Sequence, residues 1–367
     1  MKKIFKIDAA LYPFTPQSYQ KMNPIAIRLL SQQLISPQFS TPKEIVEHMG
    51  AMQAQDYRMV RWAVAMRMRK PSAKAFQKAF DKGEIIRLHL LRGTWQLVSS
   101  DDYWWMLNLY AKKAERIIRG WMKANKVVID NDELYAIREI LAKTCETKGS
   151  ATKEDFVEAL AKQDMTMDNH RLSYHIRLAE LGGTLCSGNL TPMQATYALA
   201  EKKVQRTVVM ERDEMLMLLA RKYFQSHSPA TFEDYVWWSG LSASDCRKGM
   251  ELLGSELRKE PWKGYVFYLH ESCRTRGFRK GTSLLLPPFD EYLIGYKSRE
   301  LALCPEHVHH VHTNNGIFFP IIALDGIICG NWTPWEKELK TTFFTPMEND
   351  LSFDKQWNEF CKMKNEC

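Results

Sequence analysis

Thr152-Lys-Glu-Asp-Phe-Val157 and Thr231-Phe-Glu-Asp-Tyr-Val236 share the pattern Thr-x-Glu-Asp-aromatic-Val, and Thr41-Pro-Lys-Glu-Ile-Val46 is a looser third copy. In each, a threonine stands three residues before an acidic side chain, Asp155, Asp234 or Glu44. That spacing lets hydroxyl and carboxylate satisfy each other's free backbone amides at a helix start. Each copy therefore opens a short helix. Upstream of each lies a longer amphipathic stretch: 25–34, then Leu134, Ile137, Ile140 and Leu141, then Met215, Leu216, Leu218, Leu219 and Tyr223 at helical spacing.

Downstream of each copy comes a third helical stretch, near 58–69, 168–181 and 242–257, the second stopped by Gly182-Gly183. Strand-like runs follow at 85–92 with 94–98, at 184–188 and at 264–269. Three helices and then a β-wing is the plan of a winged helix-turn-helix. The spacing predicts three such units in tandem, over 22–125, 126–208 and 209–280, after an extension at 1–21 that matches nothing.

Past residue 280 the pattern turns to strands, at 284–295, 317–323, 326–332 and 340–344, with Asp325-Gly326 as a hairpin signal between two apolar runs. The class is therefore α+β, with a C-terminal antiparallel β-barrel or sheet over 281–367. A lone sheet of that size buries little, so it should pack against the helical units and form one cleft with them.

Composition fits a folded chain. The 367 residues are long enough for several small cores, and 45% apolar residues with 11 Trp, 14 Tyr and 17 Phe supply the material. The apolar runs are too short to span a bilayer. Met1-Lys-Lys-Ile-Phe-Lys6 is basic, but Asp8 breaks the following apolar stretch and no small-residue cleavage site follows, so a secretory signal is not expected. Eight scattered cysteines without a Cys-x-x-Cys pair suit a reducing compartment and show no zinc site. A cytoplasmic monomer is the expectation. The net charge of +8 favours encounter with a polyanion.

If these units read DNA, the third helix should carry basic groups on its polar face. His170, Arg171, His175 and Arg177 in the second unit, and Arg247, Lys248, Arg258 and Lys259 in the third, are compatible. Arg171, Arg177, Arg247 and Lys248 are the DNA contacts we would expect; the plain alternative is a solvated helix face.

Chemistry points elsewhere, to Gln53-Ala54-Gln55 within Gly50-Ala-Met-Gln-Ala-Gln-Asp-Tyr57, in a turn between helices. An amide has one acceptor and two donors but takes up no proton near neutral pH, so the pair can orient a water without acting as a strong base. The competing role is capping of backbone groups in the turn. Asp56 is a better base than either amide, or else caps the helix that starts near Arg58.

Three further clusters carry other chemistry-bearing residues. Four histidines in Glu306-His-Val-His-His-Val-His312 would share strand faces in pairs, His307 with His309 or His310 with His312, yet lack an obvious fourth-ligand pattern, so no metal is assigned. Asp290 and Glu291 would point to opposite faces of a strand, and Asp290 or Glu291 would fix Arg or Lys within the fold. Trp104-Trp105 and Trp237-Trp238 read as packing rather than base-stacking platforms.

Met49–Tyr57, then Leu88-His-Leu-Leu-Arg-Gly-Thr-Trp95, Leu286-Pro-Pro-Phe-Asp-Glu-Tyr-Leu-Ile-Gly-Tyr-Lys297 and Asp325-Gly-Ile-Ile-Cys-Gly-Asn-Trp332 together resemble the AlkZ-like winged-helix DNA glycosylase family. The order of four separated motifs makes the resemblance specific. It implies three winged helices supporting a C-terminal β-barrel, and hydrolysis of the N-glycosidic bond of bulky N7-alkylated purines in double-stranded DNA, including interstrand crosslinks. It also implies that Gln53 and Gln55, as a Gln-Φ-Gln signature, carry the chemistry. Gln96 stands where family members commonly have His, and His89 stands where they often have it. No cofactor is implied. The alternative is a non-enzymatic winged-helix DNA-binding protein such as a transcriptional regulator; a protein-interaction scaffold is weaker still.

Overall fold

The computed structural model describes residues 22–346 and 352–366; the extension expected at 1–21 lies outside them. All three capping boxes form. Thr41, Thr152 and Thr231 each accept from the backbone of Glu44, Asp155 and Asp234, whose carboxylates return to the threonine amides. They open the helices Pro42–Met49, Lys153–Ala161 and Phe232–Ser239.

Each capped helix sits second in a run of helices that ends in an antiparallel strand pair. The first run is Pro24–Ser31, Pro42–Met49, Val60–Ala65 and Ala73–Asp81, closed by Ile85–Leu90 and Thr94–Ser99. The second is Asn131–Lys148, Lys153–Ala161 and Asn169–Leu181 with Leu185–Ser187 and Tyr197–Leu199. The third is Arg212–His227, Phe232–Ser239 and Ala243–Leu253 with Leu257–Trp262 and Tyr265–His270. Between the first two runs lies a helix of 25 residues, Ser100–Ala124, that buries Trp104 and Trp105. Trp238 is likewise buried, while Trp237 beside it is 39% exposed.

The C-terminal region is an open four-stranded antiparallel sheet rather than a closed barrel, in the order Lys340–Phe343, Ile327–Thr333, Ile321–Leu324, Ser283–Leu286. The long strand expected over 284–295 ends at Leu286. Asp290 then caps a short helix, Glu291–Ile294, because its carboxylate accepts the Tyr292 amide and gives the chain a helical start. The Asp325-Gly326 hairpin forms with positive φ at both residues, 52° and 85°. A Cβ on Gly326 would lie 2.3 Å from Ile25, so the turn also lets the first helix approach the sheet.

That approach builds the joint between the two halves. Leu29 and Leu30 of the first helix share a core with Leu284, Leu286, Ile321 and Ile328 of the sheet. Arg67 and Asp290, both fully buried, form a two-pronged ion pair at 2.7 and 2.9 Å, with the Gln32 side chain on the same guanidinium. The helix Asp354–Glu366, which the strand pattern did not suggest, sets Phe360 edge-on against Trp62 and Trp332.

Candidate active site

The capped helix Pro42–Met49 ends at Gly50, whose φ of 74° turns the chain into the two-residue strand Met52–Gln53. That strand joins the first hairpin as a third member, with Gln53 in register with Gln96 and Met52 with Leu97. The Ala54 amide donates to the Trp95 carbonyl at 2.8 Å, after which the chain leaves the sheet. Gln55 is therefore lifted clear and exposed, whereas Gln53 keeps only 6% of its surface. The two amides of the motif meet different environments: one in solvent, one in a polar recess.

Gln53 is held at both ends. Its backbone amide donates to Glu291 Oε1 at 2.6 Å. The other Glu291 oxygen accepts from Trp238 Nε1 and lies 3.3 Å from His227 Nε2. Burial holds His227 below its ordinary pKa against the opposing pull of Glu291, so the ring is neutral at pH 7. The Gln53 side-chain oxygen accepts from Gln96 Nε2 at 2.7 Å and from the Thr94 hydroxyl at 3.2 Å. The expectation that both amide oxygens hold a water thus meets a geometry in which only that of Gln55 is free.

Cations surround the turn. Arg87, on the hairpin's edge strand, donates through Nε to the Ala54 carbonyl, and its guanidinium stacks 3.8 Å over Trp95. Burial lowers its pKa to about 10, so it stays charged at neutral pH. Arg58 lies 3.8 Å over the exposed ring of Trp335, which stands between the last two strands of the sheet. Asp56 accepts the Arg58 and Met59 amides through Oδ1, so it caps the turn into the helix Val60–Ala65. Behind the hairpin, His89 stacks on Trp95 at 3.6 Å and bonds Glu180; burial lowers its pKa.

The expected DNA contacts divide. Arg247 and Lys248 are exposed on the helix Ala243–Leu253, Arg247 over Phe232 and Lys248 paired with Asp213 at 3.2 Å. Arg177 is half-buried over Trp121. Arg171 is engaged within the fold, forked onto Glu133 and bonded to the Val128 carbonyl, and His175 bonds the same Glu133. The structure does not bring these residues together with Gln53 and Gln55. His307, His309 and His310 lie on helical turns at 305–311 rather than a strand, because Pro305 starts a tight helix there, and only His312 is extended, in an isolated bridge to Phe318; the alternating faces expected for the four do not exist. Among the described residues no group of three or more His, Cys, Asp or Glu side chains is set to hold a metal.

Sequence reading missed Thr94, Glu291 and Arg87 as neighbours of the motif. Gln96 stood out only as a departure from His; the strand register that places it opposite Gln53 had no signal in the chain.

The family model described as DNA glycosylase AlkZ-like matches residues 46–348, and the chain belongs to that family. The interstrand DNA cross-link repair glycosylase of Streptomyces sahachiroi is 24% identical over 344 residues, 87% of this chain and 89% of its own length. The solved structure of Streptomyces sahachiroi DNA glycosylase AlkZ superimposes with a TM-score of 0.72 at 21% identity, over 93% of this chain and 95% of that one.

Proposed function

We propose that the protein hydrolyses the N-glycosidic bond of bulky N7-alkylated purines in duplex DNA, interstrand crosslinks among them, with Gln55 placing the water and Gln53 beside it. Alkylation at N7 makes the purine cationic. When the C1′–N9 bond breaks, the electron pair neutralises that charge and the base leaves without a proton donor. The remaining barrier lies in the oxocarbenium-like sugar and in placing a water beneath it, which is then bonded to C1′ while its proton passes to solvent. An exposed amide oxygen can orient that water and face the developing positive charge, a preorganised electrostatic role. Unmodified purines then remain inert.

The observation that carries this reading is the exposure of Gln55 at a turn next to the charged Arg58 and Arg87. The crosslink-repair relative supports the choice of lesion. The three helical runs with their hairpins act as tandem winged helices, Arg247 and Lys248 meet phosphate, and the protein works as a monomer in the cytoplasm. Among the described residues no helix is long and apolar enough to cross a membrane.

The test incubates pure protein with duplex bearing N7-methylguanine or a nitrogen-mustard adduct and then cleaves abasic sites. Breaks that vanish in Gln55→Ala, with duplex binding kept within a few fold, support the reading. Equal excision by wild type and variant removes the amides from the mechanism. Sequence-selective gel shifts without breaks would favour a regulator.

A further inference from the structure

Gln96 is buried to 1% exposure and faces Gln53 in strand register. Its Nε2 donates to Gln53 Oε1 at 2.7 Å and to Thr94 Oγ1 at 2.8 Å, and the Thr94 hydroxyl donates to Gln53 Oε1 at 3.2 Å. Both lone pairs of the Gln53 oxygen are therefore taken. Gln96 Oε1 is sealed without a partner. Gln53 Nε2 has no protein partner among the described residues and is not sealed, so it is the end of the amide that meets the site.

The reverse arrangement, with both amides turned over, is chemically consistent but worse. Gln53 Nε2 would donate to Gln96 and Thr94, and Gln96 Nε2 would be the buried orphan, with two unpaired N–H groups. Buried unpaired donors are rarer than under-satisfied carbonyls, because an acceptor with loose geometry loses less. The backbone cannot swing to relieve the choice, since Glu291 fixes the Gln53 amide at 2.6 Å.

We infer that Gln96 is a positioning residue that commits Gln53 to present its N–H to an acceptor atom of the lesion nucleotide, leaving the water to Gln55. The inference rests on the function proposed above. The two glutamines then have unlike tasks: Gln53 donates and Gln55 accepts.

Gln96→Glu tests it. The ionised carboxylate only accepts, so it turns Gln53 over and points oxygen at the site; the protonated acid donates to Gln53 Oε1 as the native amide does. Burial raises the pKa of such a carboxyl. The elements packed against this strand carry ionisable groups that include Arg87 and His89 of the neighbouring strand, Lys43, Glu44, Glu47 and His48 of the helix Pro42–Met49, and Asp101 and Asp102 of the helix Ser100–Ala124; none bonds the Gln96 side chain. Relative to wild type at each pH, excision by Gln96→Glu should fall about a hundredfold at pH 8 and recover to within roughly tenfold near pH 5.5, the scale of one lost site donor. Gln96→Leu, which holds neither end of the amide, should lose activity without that recovery.

Thermal melts at each pH identify any unfolded sample, and if Gln96→Glu does not fold at pH 8, Gln96→Leu and Thr94→Val decide. Excision at the wild-type level in the folded Gln96→Leu, or a Gln96→Glu profile parallel to wild type, overturns this inference alone. A wild-type protein that excises no alkylated purine overturns the proposed function and this inference with it.

Discussion

The backbone amide of Gln53 donates to Oε1 of Glu291 at 2.6 Å, across 238 residues of chain. That bond fastens the strand bearing the motif to the helix that follows the first strand of the C-terminal sheet. Glu291 also serves Trp238 and His227, so one buried carboxylate joins the first helical run, the third and the sheet. Replacing it with Ala strands the Gln53 N–H and the Trp238 N–H together. We expect Glu291→Ala to cost roughly 2–4 kcal/mol in denaturant unfolding, with excision falling in the protein that remains folded.

The two motif glutamines should separate in stability as they do in burial. Gln55 is exposed and makes no side-chain hydrogen bond among the described residues, so Gln55→Ala should leave the unfolding free energy within about 0.5 kcal/mol of wild type. Gln53→Ala removes the acceptor for Gln96 and Thr94 and should cost roughly 1–3 kcal/mol. Equal melting temperatures for the two variants would contradict the hydrogen bonding of the recess.

Asp290 and Arg67 form a closed pair, and their energies should not add. Asp290→Ala leaves a fully buried guanidinium without its carboxylate, a loss of about 3–5 kcal/mol. A double replacement with Met at Arg67 and Leu at Asp290 should lose clearly less than the sum of the single changes, as a double-mutant cycle in urea would measure.

Acid should weaken the fold through its buried histidines. His48, His89, His175 and His227 all have folded pKa values below 6.5 because burial disfavours the charged ring. The unfolded chain then binds more protons than the folded one, so stability is complete above about pH 6.5 and declines as pH falls toward the folded values. For His48 that value is about 4, so its share of the decline runs from about 6.5 to about 4. Melting temperature should drop steadily from pH 7 to pH 5; a flat profile would mean that these rings are charged in the fold.

On DNA, the exposed and the engaged basic residues should behave differently. Removing Arg247 and Lys248 together should weaken duplex binding regardless of sequence and lower the slope of log K against log salt by about 1–2. Arg171→Ala should leave that slope alone and destabilise the second helical run, because its guanidinium is already committed to Glu133 and Val128.

What the chain determined by itself was local. Thr41, Thr152 and Thr231 declared three helix starts because the capping box is complete within four residues, and Asp325-Gly326 declared its hairpin because Asp tolerates a positive φ and Gly, without a Cβ, adopts one freely. The Gln-Ala-Gln motif was legible too, and of the two carboxylates expected to fix Arg or Lys, Asp290 holds Arg67 while Glu291 bonds Gln53, Trp238 and His227 instead. Folding in three dimensions decided what no window of sequence contains. It ended a hydrophobic run at Leu286 to form a helix instead of more strand, left the last sheet open, and bonded Arg171 inward. It also sank Gln53 while lifting Gln55 into solvent. Those outcomes depend on strand register and on partners 43 to 238 residues away, Gln96 and Glu291, and a buried amide or carboxylate takes its role from whichever distant group completes its hydrogen bonds.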